Sequence, residues 1–158
     1  MRGIKDPRPS QLQVIPITTK FEEEAKLLVL DGLLEHFGFI DHSLNPDLDA
    51  IMTHYNKEGS VFLIAIVNQE LVATGAITRE SGQLGRVERM SVKRNYRRQG
   101  VGRLMLQSIE WYAKAIGYTR LVLETNKDWE SALSFYSSNG YKIYQNDSRR
   151  SHFEKNIF

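Results

Sequence analysis

Arg86-Val-Glu-Arg-Met-Ser-Val-Lys-Arg-Asn-Tyr-Arg-Arg-Gln-Gly-Val-Gly102 reads as a strand that enters a basic loop and leaves it as a helix. The loop carries five cations (Lys93, Arg94, Arg97, Arg98, Arg103) and two glycines, Gly100 and Gly102. A helix start offers unpaired backbone N–H groups at the positive end of the helix dipole, a natural seat for phosphate. Glycines let the backbone approach an anion with no β-carbon in the way, and arginines add charge-assisted hydrogen bonds. Two familiar phosphate loops fit poorly. A P-loop needs Gly-Lys-Ser/Thr, whereas Gly102 is followed by Arg103 and Leu104. A dinucleotide fingerprint needs a small residue where Met105 stands. On the loop alone, a phosphate seat, a solvated rim and a nucleic-acid footprint all remain open.

Outward from this stretch the periodicities are clear. The helix after Gly100 places Val101, Leu104, Met105, Ser108, Tyr112, Ala115 and Ile116 on one face and Arg103, Gln107, Glu110 and Lys114 on the other, with Gly117 as its stop. Upstream, residues 12–18 suggest a first strand, and Thr19 is a candidate cap for a helix whose first turn holds Glu22, Glu23 and Glu24. That helix should end near Phe37-Gly38, and Asn45-Pro46 should open a second one reaching Tyr55. Residues 60–67 are apolar enough to be buried on both faces, and Asn68-Gln69 turns them into a hairpin with 70–79. Strands are expected at 84–93, 119–125, 141–145 and 151–157, and a short helix at 129–138. This order makes a mixed α/β sheet.

Length and composition suit one domain, residues 1–158, with 1–10 a loose arm. There is no cysteine, which excludes disulfides, Cys-based zinc sites and a thiol nucleophile. The net charge of +2 advertises neither nucleic acid nor membrane. The four histidines show no metal-ligand spacing, so no metal is expected. No signal-peptide core follows the basic start, and no apolar run approaches the roughly 20 residues of a membrane helix. A soluble cytoplasmic protein is the expectation.

The run Arg97-Arg98-Gln99-Gly100-Val101-Gly102 resembles the Arg/Gln-x-x-Gly-x-Gly/Ala motif of the GNAT superfamily of acetyl-CoA-dependent N-acetyltransferases. A second block, Ala132-Leu-Ser-Phe-Tyr136-Ser-Ser-Asn-Gly-Tyr141, is similar to that family's Ala-x-x-x-Tyr-x-x-x-Gly-Phe/Tyr. Together they span about 84–145. The resemblance implies a largely antiparallel sheet of about seven strands, flanked by about four helices and splayed between 84–93 and 119–125. It implies acetyl-CoA as acyl donor, with backbone N–H groups from Arg98, Gln99, Gly100, Val101, Gly102 and Arg103 around the pyrophosphate and the side chains of Arg97 and Arg98 assisting. Met90, Ser91 and Val92 would offer main-chain groups to the pantetheine arm, Asn126 would hydrogen-bond its amides, and Ala132 and Phe135 would pack on it. Tyr136 falls where the family keeps the acid for the departing thiolate. Without that context it reads as a core aromatic beside Phe135.

The same resemblance implies direct attack by a primary amine, of a small molecule or of a peptide or protein, and leaves room for a homodimer. An amine with a pKa near 10.4 must lose a proton first, at a cost of about 4.6 kcal/mol at pH 7. One branch of the family uses a glutamate six residues before the position of Val92, where this chain has Arg86. Glu88 is the candidate base instead, as in glucosamine-phosphate acetyltransferases; an ordered water is the alternative. Strict alternation would put Glu88 on the face of Arg86 and Met90. The acceptor should border residues 37–46, with Asp41 and His42, and 145–151, with Asp147, Arg149 and Arg150. The rival within this fold is a CoA-sensing or regulatory binding module without turnover. A more distant one is a nucleic-acid binder using the Lys93–Arg103 cluster.

Overall fold

A computed structural model describes residues 11–38 and 45–158. The expected arm, and Asp41 and His42, lie outside the described residues. The strands are β1 (Gln13–Pro16), β2 (Val61–Val67), β3 (Glu70–Ser81), β4 (Leu84–Val92), β5 (Arg120–Asn126), β6 (Lys142–Asn146) and β7 (Arg150–Asn156). The helices are α1 (Glu22–Phe37), α2 (Ile51–His54), α3 (Val101–Ile116) and α4 (Glu130–Ser138). One seven-stranded sheet runs β1-β2-β3-β4-β5-β7-β6, antiparallel throughout except for β4 beside β5. This is the mixed, largely antiparallel sheet with four helices that the sequence implied.

Short-range chemistry sets most boundaries. Asn68 and Gln69 both adopt positive φ, the mirror-image turn whose twist matches that of a hairpin. Gly38 and Gly117 take the left-handed conformation that ends α1 and α3. Phe62, Leu63, Ile64 and Ala65 on β2 are all buried because helices cover both faces. α3 and α4 lie over one face, and α1 and α2 over the other.

Three expectations change. The first helix begins at Glu22, after a 3-10 turn over Thr19–Phe21, and neither turn nor helix has a side-chain cap. The second is broken into a 3-10 turn, Pro46–Asp49, and the single turn of α2, because Ala50 between them is non-helical at φ −153° and ψ 61°. The buried stripe of α3 is Val101, Met105, Leu106, Ile109 and Ala113. Ala115 is exposed, and Leu104, Ser108 and Tyr112 sit at the flank. Two apolar rows share helical spacing on this helix, and the i, i+4 row from Val101 won because it is the one the sheet receives.

Gly75 on β3 is where that row fits. A β-carbon there would lie 2.7 Å from Ile109, 2.8 Å from Met90 and 3.0 Å from Met105. Gly75→Ala should therefore lower stability by about 1–3 kcal/mol through overpacking, read as a reduced urea midpoint at unchanged slope.

Candidate functional site

β4 and β5 pair only at Leu84–Arg120, Gly85–Leu121 and Arg86–Val122, although β4 continues to Val92 and β5 to Asn126. Beyond Arg86 the β5-facing edge of β4 has no strand partner among the described residues. This is the expected splay, and it opens a slot in mid-sheet.

A bulge bends β4 just past the break. Thr74 pairs with Ser91 and Ala76 with Glu88, so β4 carries one residue more than β3. Arg89 is at φ 57°, an uncommon conformation for a residue with a side chain. Its carbonyl accepts a 2.7 Å hydrogen bond from the Thr74 hydroxyl, and its guanidinium grips both oxygens of Asp47. The extra residue overturns the parity expected for β4. Glu88 shares a face with Arg86, toward α2, because both neighbour Thr78. Met90 instead packs beside Met105 and Ile109 of α3.

The glycine loop sits at the far end of β4. Gly100 (φ 85°) caps α3 without a side chain, and Arg98 also has positive φ. Among the described residues, the backbone N–H groups of 98–103 donate no hydrogen bond. The loop cations are not equivalent. Lys93 pairs with Glu70, and Arg94 and Arg97 with Glu35 of α1. Arg97 also donates from Nε to the Val92 carbonyl at 3.0 Å. Arg98 and Arg103 have no carboxylate partner among the described residues. Gln99 braces the loop through Asn95 O.

Opposite the loop, Phe135 of α4 lies against the first turn of α3: a β-carbon on Gly102 would come within 3.3 Å of its ring and 3.5 Å of Val92. A side chain at Gly102 would thus press on the Phe135 ring. Ala132 joins this wall half-buried. Asn126 accepts from the Asp128 N–H through Oδ1, which directs β5 into α4. Tyr136 is 8% exposed, with its ring among Phe135, Tyr141 and Phe153. Its hydroxyl has no hydrogen-bond partner among the described residues, and burial raises its pKa. His36 of α1 stacks on Trp129 at 4.0 Å and 14°, joining the end of α1 to the start of α4.

On the α2 side, Glu88 Oε1 accepts from Thr78 (2.8 Å) and Oε2 from Tyr55 (2.9 Å). Sequence reasoning missed Tyr55, Asp47 and Arg89. No local pattern links residues 33 and 42 positions apart. At the other rim, Asp147 accepts from the N–H groups of Arg149 and Arg150 and contacts His152, and Arg150 pairs with Glu124.

The profile of the Acetyltransferase (GNAT) domain matches residues 58–143, more than half of the chain, and takes in β2 to β5, the glycine loop, α3 and α4, while Asp47, Tyr55 and the Asp147 turn lie outside it. The chain belongs to the GNAT acetyltransferase family. It is 32% identical to the probable N-acetyltransferase 14 of Xenopus tropicalis over 63% of this chain and 49% of that one. It is 29% identical to human N-acetyltransferase 8B over 66% and 48%. It spans about half the length of these curated relatives. In fold it resembles a GNAT-family acetyltransferase of Staphylococcus aureus Mu50, with a TM-score of 0.85 and 24% identity over 93% of this chain and 99% of that one. It also resembles the PaiA N-acetyltransferase of Thermoplasma acidophilum, solved with coenzyme A (TM-score 0.78, 15% identity, 92% and 98% covered). No described helix is long and apolar enough to cross a membrane.

The Glu35–Arg97 bridge makes a pH prediction. Hydrogen bonds and charge from Arg97 lower the Glu35 carboxyl from 4.5 to about 2. A carboxyl depressed on folding stabilises above its unfolded pKa and loses that contribution as pH falls through the folded one. The gap in urea midpoint between the parent and Glu35→Gln should be steady at neutral pH and close as pH drops from about 4.5 towards 2.

Proposed function

We propose that this GNAT domain transfers an acetyl group from acetyl-CoA to a primary amine by direct attack. The observation that carries the reading is the break in the β4–β5 ladder at Arg86–Val122, set beside a helix start whose N–H groups are unpaired. The open β4 edge suits an extended chain bearing amides, and the loop suits a diphosphate. The fit of coenzyme A to both is better than that of a mononucleotide, which would use the loop alone.

On this proposal the N–H groups of 98–103, with Arg98 and Arg103, hold the pyrophosphate. The guanidinium of Arg97 acts one step back, fixing the loop against α1 through Glu35. The main chain of Met90, Ser91 and Val92 lines the pantetheine on one side, and Asn126, Ala132 and Phe135 on the other. The thioester supplies the acetyl group. Backbone N–H near Met90 polarises its carbonyl. Glu88 takes the first proton from the acceptor ammonium and passes it to solvent. The free amine then forms the C–N bond as the C–S bond breaks. Tyr136 donates its hydroxyl proton to the departing sulfur and is reprotonated at the expense of the second proton of the acceptor nitrogen. The Tyr136 hydroxyl has no hydrogen-bond partner among the described residues, and burial keeps it protonated, so Tyr136 has a proton to give. The acceptor lies on the α2 side with Glu88, bordered by the Asp147 turn.

The deciding experiment follows thiol release from acetyl-CoA over a panel of polyamines, amino sugars, amino acids and peptides. CoA binding without release on any amine would make this a binding module instead. Acetyl-CoA at 100 times its dissociation constant should stabilise the fold by about 2.7 kcal/mol. ATP should give much less, and the Arg98→Ala, Arg103→Ala double variant should lose most of the acetyl-CoA effect. Equal stabilisation by ATP and acetyl-CoA would remove the support for this reading.

Tyr136→Phe should reduce turnover by about 10²–10⁴-fold with acetyl-CoA affinity unchanged. Because it deletes a buried, unpartnered hydroxyl, it should leave stability equal or slightly raised. Retained turnover would return Tyr136 to a packing role.

A further inference from the structure

The hydroxyl of Tyr55 lies 2.9 Å from Glu88 Oε2 and 3.0 Å from Asp47 Oδ2. One phenol has one hydrogen to give and lone pairs to receive with, so two ionised carboxylates cannot both be satisfied by it at once. Asp47 does not need it: Arg89 donates Nη2–H to Oδ1 at 2.7 Å and Nε–H to Oδ2 at 3.0 Å. Burial alone would raise the Asp47 carboxyl, but the bonds and charge of Arg89 bring it below its ordinary value, so it stays ionised. The Tyr55 phenol is held well above its ordinary range by burial and by the two carboxylates. Glu88, by contrast, accepts only from the neutral Thr78 and Tyr55 hydroxyls and has no cation bonded to it among the described residues.

We infer that Tyr55 is a positioning residue for Glu88: its hydroxyl turns between Glu88 and Asp47 and so satisfies Glu88 both ionised and protonated. The inference rests on Glu88 accepting the acceptor's proton. While Glu88 is ionised, the Tyr55 O–H donates to Oε2. When Glu88 takes a proton, it donates that proton to the Tyr55 oxygen, and the Tyr55 O–H turns to Asp47 Oδ2. No heavy atom moves and no proton is lost from the set. The ring is held for this: Tyr55 is 6% exposed and packs edge-on against Phe62 at 5.1 Å.

The other charges around Glu88 have partners of their own on neighbouring strands. Arg86, next on its face of β4, pairs with Glu80 of β3. Glu124 of β5 is shared by Arg150, His152 and, at 3.9 Å, Arg86. Thr78 is neutral. Glu22 of α1 is turned away to the N–H of Met52. None of these changes when Tyr55 is altered, so a shift can be assigned to the hydroxyl.

The test is the titration of the Glu88 carboxyl carbon, followed by NMR in the free protein, for the parent, Tyr55→Phe and Asp47→Asn. Tyr55→Phe keeps the ring, removes the donor to ionised Glu88 and leaves two carboxylates facing each other. Both effects raise proton affinity, and the midpoint should move up by about 1 pH unit, the scale of one hydrogen bond to a charged group. Asp47→Asn removes the facing charge and frees that of Arg89, so the midpoint should move down. A purely structural Tyr55 would change the urea midpoint and leave the Tyr55→Phe titration on that of the parent. Coincident titrations of parent and Tyr55→Phe overturn the inference. The base role is tested separately by Glu88→Gln on the amine that releases most thiol: an acidic limb of the pH–rate profile identical to the parent's overturns that role, and with it the inference.

Discussion

From Val87 to Val92 the backbone of β4 is paired with β3 on one side, while its other edge faces no strand among the described residues. In mid-sheet this is an unusual condition, because a backbone group shut away from water without a partner costs about 1–3 kcal/mol. The sheet therefore either keeps that edge wet or reserves it for something that pairs as a strand does. Everything placed around the slot is consistent with reservation. The glycine loop continues directly from the open edge, Phe135 and Ala132 wall it, and Asn126 stands at the end of the strand that pulled away. Strand-like addition takes its affinity from main-chain bonds and its selectivity from the ends. Here one end carries unpaired N–H groups and the other opens toward Glu88.

The loop's charge is sorted by its neighbours. A basic stretch of five residues looks like a polyanion footprint until partners are assigned. Three of the five are neutralised by Glu35 and Glu70, and Arg97 is turned inward to tie the Val92 carbonyl to α1. Exposed bridges of this kind contribute little to stability, so their effect is positional: they hold the loop in place beneath α1. Arg98 and Arg103, which flank the N–H groups themselves, are left without a carboxylate partner among the described residues. On the proposed function such a pair suits a compact diphosphate.

The elements that the sequence made legible are those fixed by neighbours in the chain. The Asn68-Gln69 turn, the glycine ends of α1 and α3, the doubly buried β2 and the loop-to-helix entry at Gly100 all rest on local backbone or periodic patterning. The splay itself followed from the family resemblance rather than from any residue pattern. What stayed hidden was set by distant residues. The α3 stripe rotated because Gly75 accepts Met105 and Ile109, and α2 shrank because Ala50 is non-helical. The bulge was invisible because it is made by an arginine, not by a glycine that would have marked it. Its supports, Asp47 and Thr74, are 42 and 15 residues away.

On the proposed function, that one extra residue decides how the two substrates are kept apart. With strict alternation, Glu88 and Met90 would share a face, and the carboxylate would stand on the same side of the sheet as the apolar sulfur. The bulge turns Met90 to α3, the apolar wall behind the slot, and leaves Glu88 with Tyr55 on the α2 side. On that proposal one strand gives an apolar surface to the donor and a charged one to the acceptor within three residues. A left-handed arginine costs on the order of 1–3 kcal/mol. The two groups that offset this cost are the Thr74 hydroxyl on its carbonyl and Asp47 on its guanidinium. Asp47 is also the carboxylate that Tyr55 reaches when it turns from Glu88. The residue that holds the bulge in shape and the residue that completes the Glu88 network are therefore the same, so the division of the slot and the chemistry assigned to it stand or fall together.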